Sequence, residues 1–231
     1  MIRIVCDPGQ RAGDRLVLTS EQTHYLERVM RQKIGDVLEV HFAGEGVHRA
    51  TLLGAGELQI DPATTPVLEL PTRILLYQAL LKHDHFAEIV ERGTEAGIAD
   101  FIPLVTDRSI VREVTPNRDQ RWRKIAIEAT EQCRRAEVPR IHPVASLKDI
   151  RPPEAGIGLL LDPSGLPLRT AVANHAVAVA LAVGPEGGFT AEERSLLIDR
   201  GFLAVSLGPH IFRSENAGAF AAVMLLGLWM R

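Results

Sequence analysis

The chain has 231 residues, of which 46% are hydrophobic and 24% charged, and its formal net charge is -3. That length and balance suit one large globular domain or two modest ones, and they exclude a disordered chain or a uniformly basic nucleic-acid binder. Cys6 and Cys133 stand far apart with no CxxC pair, so neither a disulfide framework nor a zinc site is expected.

The amino terminus, "MIRIVCDPGQ", lacks the apolar core of a signal peptide, so a reduced, cytoplasmic protein is expected. "RLVL" and "VLEVHF" read as strands, and "AGEG" (43–46) as the turn leading into "VHRATLL". Thr19 with Gln22 forms a capping box that opens one helix, "SEQTHYLERVMRQ". Mostly β content in so short a piece suggests a compact barrel over residues 1–70. The proline-rich "DPATTPVLELP" (61–71) reads as the linker, with room for a last barrel strand.

Residues 71–231 change pattern. "RILLYQAL", "FIPLV", "IGLLLD", "AVAVALAV" and "FLAVSL" read as strands, alternating with helices such as "DHFAEIVERGTEAG" and "NRDQRWRKIAIEATEQCRR". Apolar strands alternating with helices predict an α/β domain with a largely parallel sheet. Between Arg108 and Arg140 nine Arg and Lys residues face five acids. Such a stretch is either a surface for a polyanion or a solvated helix with internal ion pairs. The final run, "AGAFAAVMLLGLWM" (217–230), is too short to span a bilayer. Being apolar nearly all round, it is expected to be covered on every side, in part by a second subunit.

Three Gly- and Pro-rich segments follow strands: "LLLDPSG" (159–165), "VGPEGG" (183–188) and "LGPHIFRSEN" (207–216). In open parallel sheets ligands sit at the carboxyl ends of strands, so the three are expected to build one pocket. Glycines there allow positive φ and let a ligand approach the backbone. Neither a Walker loop nor a dinucleotide G-x-G-x-x-G fingerprint is present. Thr190 and Glu193 form a second capping box after the glycine turn. Arg213 and Glu215 read as site residues, with a helix-start ion pair as the alternative. His83, Asp84 and His85 read as a loop at a helix start rather than a metal site, and no metal is expected.

"VGPEGGFTAEE" followed by "SLGPHIFRSENA" resembles the 16S rRNA (uridine-N3) methyltransferase family of the SPOUT superfamily. "LLKHDHFAEIVERGTEAGIADFIPLVTDRSIV", "KIAIEATEQCRRAEVPRI" and "ERVMRQKIGD" resemble its other segments, in order, over nearly the whole chain. The resemblance implies a PUA-like barrel (1–70) and a trefoil-knotted SPOUT domain (71–231) that binds S-adenosylmethionine. It further implies a homodimer and, as acceptor, N3 of one uridine in 16S rRNA or the small ribosomal subunit. An RNA-binding SPOUT protein acting on tRNA, or one with a degenerate donor site, is the alternative.

Carried over by the resemblance, the donor site would comprise Leu161, Gly184, Pro185, Glu186, Gly187, Gly188, Leu207, Gly208, Ile211, Arg213 and Asn216. Arg213 and Glu215 would be catalytic, with Arg213 stabilising charge on the uridine and Glu215 orienting it or accepting a proton. Glu186 would order its loop, contact the ribose or contact Arg213. RNA contacts would fall to Arg28 and Arg31 of the barrel and to Lys82, His85, Arg108, Arg134 and Arg135. The chain departs from the family at His83 (usually Gly), His85 and Arg92 (usually Lys), Cys133 (usually Ser) and Asn216 (usually Thr).

Overall fold

The computed structural model describes residues 1–42, 45–65, 70–172 and 175–229. Ala43 and Gly44 of the expected turn, residues 66–69 of the expected linker, and Met230 lie outside the described residues. The chain divides into two compact units: Met1–Glu69 with Thr130–Val138, and Leu70–Ala129 with Pro139–Arg231.

The first unit contains β1 (Arg3–Cys6), β2 (Arg11–Ala12), β3 (Arg15–Val17), α1 (Ser20–His24), β4 (Val37–Phe42), β5 (Gly46–Gly54) and β6 (Glu57–Thr65). Its sheet runs β1-β4-β5-β6-β3-β2. The β1/β4 pair is parallel and the other pairs are antiparallel. Alternate residues of β4 (Leu38, Val40, Phe42) meet Leu16, Leu52, Leu58 and Ile60 in one core, the period-2 pattern of a sheet with one dry face. Cys6 belongs to that core. Burial first, then the charge of Glu131, pushes its thiol up to about 12, so it is an inert core residue.

The capping box at Thr19 and Gln22 is present. The helix it opens is shorter than expected, however. After α1 the chain makes a π turn (Tyr25–Val29), and Arg31 leaves with φ 55°. Only Leu26 of this stretch is buried, too little apolar area to hold a longer helix.

The second unit contains β7 (Arg73–Ala79), α2 (His85–Glu95), β8 (Ile98–Val105), α3 (Pro116–Cys133), β9 (Arg140–Ile141), β10 (Ala145–Ser146), β11 (Ile157–Pro167), α4 (Leu168–Ala171), β12 (Ala178–Val183), α5 (Ala191–Asp199), β13 (Phe202–Ser206) and α6 (Ser214–Trp229). The residues of α3 from Thr130 onward belong to the first unit. The sheet runs β10-β8-β7-β12-β11-β13, with β9 on β8, and every pairing is parallel. This agrees with the expected parallel α/β architecture. On one face α6 packs on β7 and β12 and against α2. Gly218 permits this approach, since a Cβ there would lie 2.8 Å from Leu76. On the other face Leu197 of α5 joins Leu160, Ala180, Ala182 and Phe202.

One expectation is corrected. "DPSG" does not end its strand. β11 breaks register between Leu161 and Leu166 and then pairs again with β13, because Gly165 lets the backbones close to a distance no Cβ would fit. Within one copy of the chain α6 is covered only in part. Ala217, Ala219, Ala221, Ala222 and Leu225 are buried, whereas Phe220, Val223 and Met224 form an exposed apolar stripe. Trp229 is held by its own chain, its Nε1 donating to the Val172 carbonyl at 3.2 Å. Among the described residues no helix is long and apolar enough to cross a membrane.

Candidate active site

β12 delivers the chain into the glycine turn with its last residues fully buried. The Gly188 N–H donates to the Pro185 carbonyl at 2.8 Å, and Gly188 takes φ 69°, a left-handed value that suits glycine. A Cβ on Gly184 would lie 3.0 Å from the Phe189 nitrogen and 3.2 Å from the Gly188 Cα. The turn therefore folds back on itself at a position where only hydrogen fits. Thr190 then caps α5, its Oγ1 accepting from the Glu193 N–H at 3.2 Å while Glu193 Oε2 accepts from the Thr190 N–H at 2.8 Å.

Four neighbours brace this turn. Ser214 Oγ, at the start of α6, donates to the Gly184 carbonyl at 2.5 Å and accepts from Gln78 Nε2 at 3.0 Å. The Lys82 N–H donates to Glu186 Oε1 at 3.1 Å. Arg108 Nη1 donates to the Gly187 carbonyl at 2.5 Å and lies 3.4 Å from that of Phe189. The Asp107 N–H donates to Glu193 Oε1 at 2.7 Å. Segments following β7 and β8 thus hold the loop that follows β12.

Above the turn opens a cavity of about 780 Å³, within the range of small-molecule sites. Leu160–Pro163, Val183–Phe189, Val205–Leu207 and His210–Glu215 line it, with Ala217, His85 and Arg194. The three Gly- and Pro-rich segments meet around one space. Leu161, Gly184, Pro185, Glu186, Gly187, Gly188, Leu207, Ile211, Arg213 and Glu215 all face it; Gly208 and Asn216 do not. Asn216 instead accepts from Arg92 Nη1 at 2.5 Å.

Arg213 Nη1 is 3.9 Å from Glu215 Oε1; the arginine side chain is 85% exposed and the carboxylate 13%. So loose a contact leaves the guanidinium free to swing onto a ligand. Lower in the wall, Asp162 Oδ2 pairs with Arg194 Nε at 2.6 Å, and its Oδ1 accepts from the Ser164 N–H and Oγ. Burial works against this carboxylate, but the hydrogen bonds from Arg194 and Ser164 outweigh it and hold Asp162 below the ordinary carboxylate value.

The residues expected to meet RNA are dispersed. Arg28, Arg31 and Arg134 are exposed and Arg135 half-buried, all four in the first unit. In the second unit Lys82 and Arg108 are exposed, Arg108 donating one nitrogen to the glycine turn, and His85 faces the cavity. Asp84 anchors the loop before α2, accepting from Trp122 Nε1 at 3.2 Å and pairing with Arg121. His83 there adopts φ 54°, the conformation that explains glycine at this position in the resembled family. Among the described residues no three His, Cys, Asp or Glu side chains gather as metal ligands would.

Asp162, Arg194, Ser214 and Gln78 were not expected at the site. Asp162 and Ser214 sit inside the quoted loops, so attention to loop polar residues would have found them. Nothing local marks Gln78 or Arg194, whose partners lie 136 and 32 residues away.

Residues 68–226 match the RNA methyltransferase domain family. The chain is 36% identical to ribosomal RNA small subunit methyltransferase E of Synechocystis sp., over 98% of this chain and 77% of that protein. The structure is similar to a methyltransferase of Legionella pneumophila solved with bound SAM: TM-score 0.89, 28% identity, 98% of this chain and 97% of that one. It is also similar to ribosomal RNA small subunit methyltransferase E of Neisseria gonorrhoeae bound to S-adenosyl methionine: TM-score 0.87, 26% identity, 99% and 98% coverage.

Proposed function

Because the chain belongs to the ribosomal RNA small subunit methyltransferase E family, within the RNA methyltransferase domain family, we propose that it transfers the methyl group of S-adenosylmethionine to N3 of one uridine in small-subunit rRNA. The observation that carries this reading is the cavity itself. Three loops from neighbouring parallel strands close around it, and its floor is a turn of glycines. Donor binding fits that floor, because glycines without side chains let a nucleoside approach the backbone closely. Gly184, Gly187, Leu161, Leu207 and Ile211 would hold the donor. When bound, it supplies an electrophilic methyl group.

Uridine N3 carries a proton at neutral pH and becomes nucleophilic once that proton is lost, with charge spreading to O2 and O4. Arg213, exposed at the mouth of the cavity, would stabilise that charge through its planar fork. Glu215, at the amino end of α6 and 3.9 Å from Arg213 Nη1, would orient the arginine. The base must be unstacked to enter. In the same reading the first unit is a PUA-like RNA-binding module using Arg28, Arg31, Arg134 and Arg135. The second is a knotted SPOUT domain, and the exposed stripe Phe220, Val223 and Met224 pairs two copies into a homodimer.

Mapping the methylated nucleotide tests the proposal. Purified protein, S-adenosylmethionine and unmodified small subunits or their rRNA should yield one N3-methyluridine. Methylation only of tRNA, or donor binding without transfer to any rRNA, would refute it.

A further inference from the structure

Removing the N3 proton requires an acceptor, and the titratable groups that line the cavity are His85, Asp162, Glu186, His210, Arg194, Arg213 and Glu215. Most are engaged in ways that disfavour the task. Asp162 is held by Arg194 and Ser164 below the ordinary carboxylate value. Glu186 accepts the Lys82 N–H. Glu215 lies at a helix amino terminus beside Arg213. His85 differs in kind. Its side chain is 38% exposed, it faces the cavity, and its Nδ1 lies 3.2 Å from Glu88 Oε1.

A carboxylate only accepts hydrogen bonds, so in the neutral ring Nδ1 carries the hydrogen and a lone pair is left on Nε2. Glu88 is itself fixed. Its other oxygen receives Arg92 Nη2 at 2.9 Å, and Arg92 Nη1 reaches Asn216 Oδ1 on α6. A continuous chain, His85–Glu88–Arg92–Asn216, therefore runs from the cavity wall across two packed helices. His85, Arg92 and Asn216 are three of the positions where the sequence departs from the family it resembles, and the chain of contacts joins all three. Two further imidazoles are near: His83, with its ring 5.9 Å from that of His85, and His210, which lines the cavity but, among the described residues, has no carboxylate to fix its ring.

We propose that His85 is the proton acceptor of the reaction, with Glu88 as the residue that positions it. The inference rests on the uridine-N3 reading above. His85 Nε2 takes the N3 proton. The N3 lone pair forms the new N–C bond to the methyl carbon as the C–S bond breaks, and that electron pair passes to sulfur. The sulfonium charge is thereby cancelled, the imidazolium holds the positive charge, and it returns its proton to water. Imidazole suits the step because one ring nitrogen can accept a proton while Glu88 holds the other.

Two measurements test this. First, ¹⁵N spectra of the wild-type protein without donor should show the His85 ring with hydrogen on Nδ1, and Glu88→Gln should abolish that preference. Hydrogen on Nε2 in the wild type would overturn the assignment whatever the substrate. Second, His85→Gln should slow single-turnover methylation about 100- to 10,000-fold, with unchanged affinity for donor and for rRNA. A near-normal rate in His85→Gln, with a wild type that methylates rRNA, overturns this proposal and leaves the uridine-N3 reading standing. So does a rate loss matched by lost rRNA affinity, which would make His85 a phosphate contact. A wild type with the expected tautomer but no transfer to uridine N3 would overturn both.

Discussion

Ser214 joins three parts of the site through one hydroxyl, and the cost of removing it follows from its contacts. The hydroxyl donates to the Gly184 carbonyl and accepts from Gln78 Nε2. Gln78 is fully buried, and among the described residues its Oε1 has no partner. Its amide keeps only a 3.3 Å contact with the Ala79 carbonyl once Ser214 is gone. Ser214→Ala therefore loses two hydrogen bonds at about 1 kcal/mol each and leaves a buried donor poorly paired, for a total of about 2–3 kcal/mol. At about 2–4 °C per kcal/mol for a protein of this size, the melting temperature should fall by about 4–12 °C. The glycine turn also loses an anchor, so donor binding measured by calorimetry should weaken; a tenfold loss corresponds to about 1.4 kcal/mol. A cycle with Gln78→Leu should give a coupling of about 0.5–3 kcal/mol between the two positions. Ser214→Ala that melts like the wild type and binds donor equally well, or a cycle that is purely additive, would refute the bracing role.

Arg213→Ala should slow single-turnover methylation about 100- to 1,000-fold while leaving the melting temperature unchanged, because so exposed an ion pair contributes little; a lower melting temperature with a normal rate would make it structural. Arg108→Met should weaken donor affinity in the absence of RNA, since its guanidinium holds the Gly187 carbonyl; unaltered donor affinity with a reduced salt dependence of rRNA binding would return it to the phosphate-contact role. Asp162, whose carboxyl is depressed in the fold, contributes stability that is complete above the unfolded value of about 3.9 and lost as pH falls through the folded one. Denaturant titrations should therefore show Asp162→Asn less stable than wild type at pH 7, with the gap closing in strong acid. Phe220→Glu with Val223→Glu should give a folded monomer by sedimentation; a wild type that is already monomeric at micromolar concentration would exclude the dimer.

The parallel sheet was legible because its strands are short apolar runs bounded by Gly and Pro, and because helices of period 3.6 separate them. Both capping boxes, at Thr19 and Thr190, were readable from four residues each. The cavity was foreseeable in outline, since its three walls are loops with unusual composition. Its internal wiring was not. The Arg108–Gly187 contact spans 79 residues and the Gln78–Ser214 contact 136, and no local pattern links such positions. Arg108 was expected on RNA because a cation in a basic stretch looks like its neighbours. Only the fold decides which carbonyl it meets. The bulge after Leu161 escaped notice because "DPSG" is turn chemistry, and a turn inside a strand reads the same as a turn at its end. The exposed stripe of α6 was hidden by composition, because nearly every residue there is apolar and periodicity then has nothing to contrast.

Thr130–Val138 belongs to the first unit, and this has a consequence for how the chain is made. β1 lies at the edge of its sheet, and one of its edge amides, the Val5 N–H, is taken by Glu131 Oε1 at 2.7 Å, a partner 126 residues later in sequence. At a synthesis rate of about 5–20 residues per second, that partner appears roughly 6–25 s after the strand it covers. For that interval the nascent sheet presents an open edge able to pair with other chains. A fragment ending near residue 70 would carry the open edge permanently.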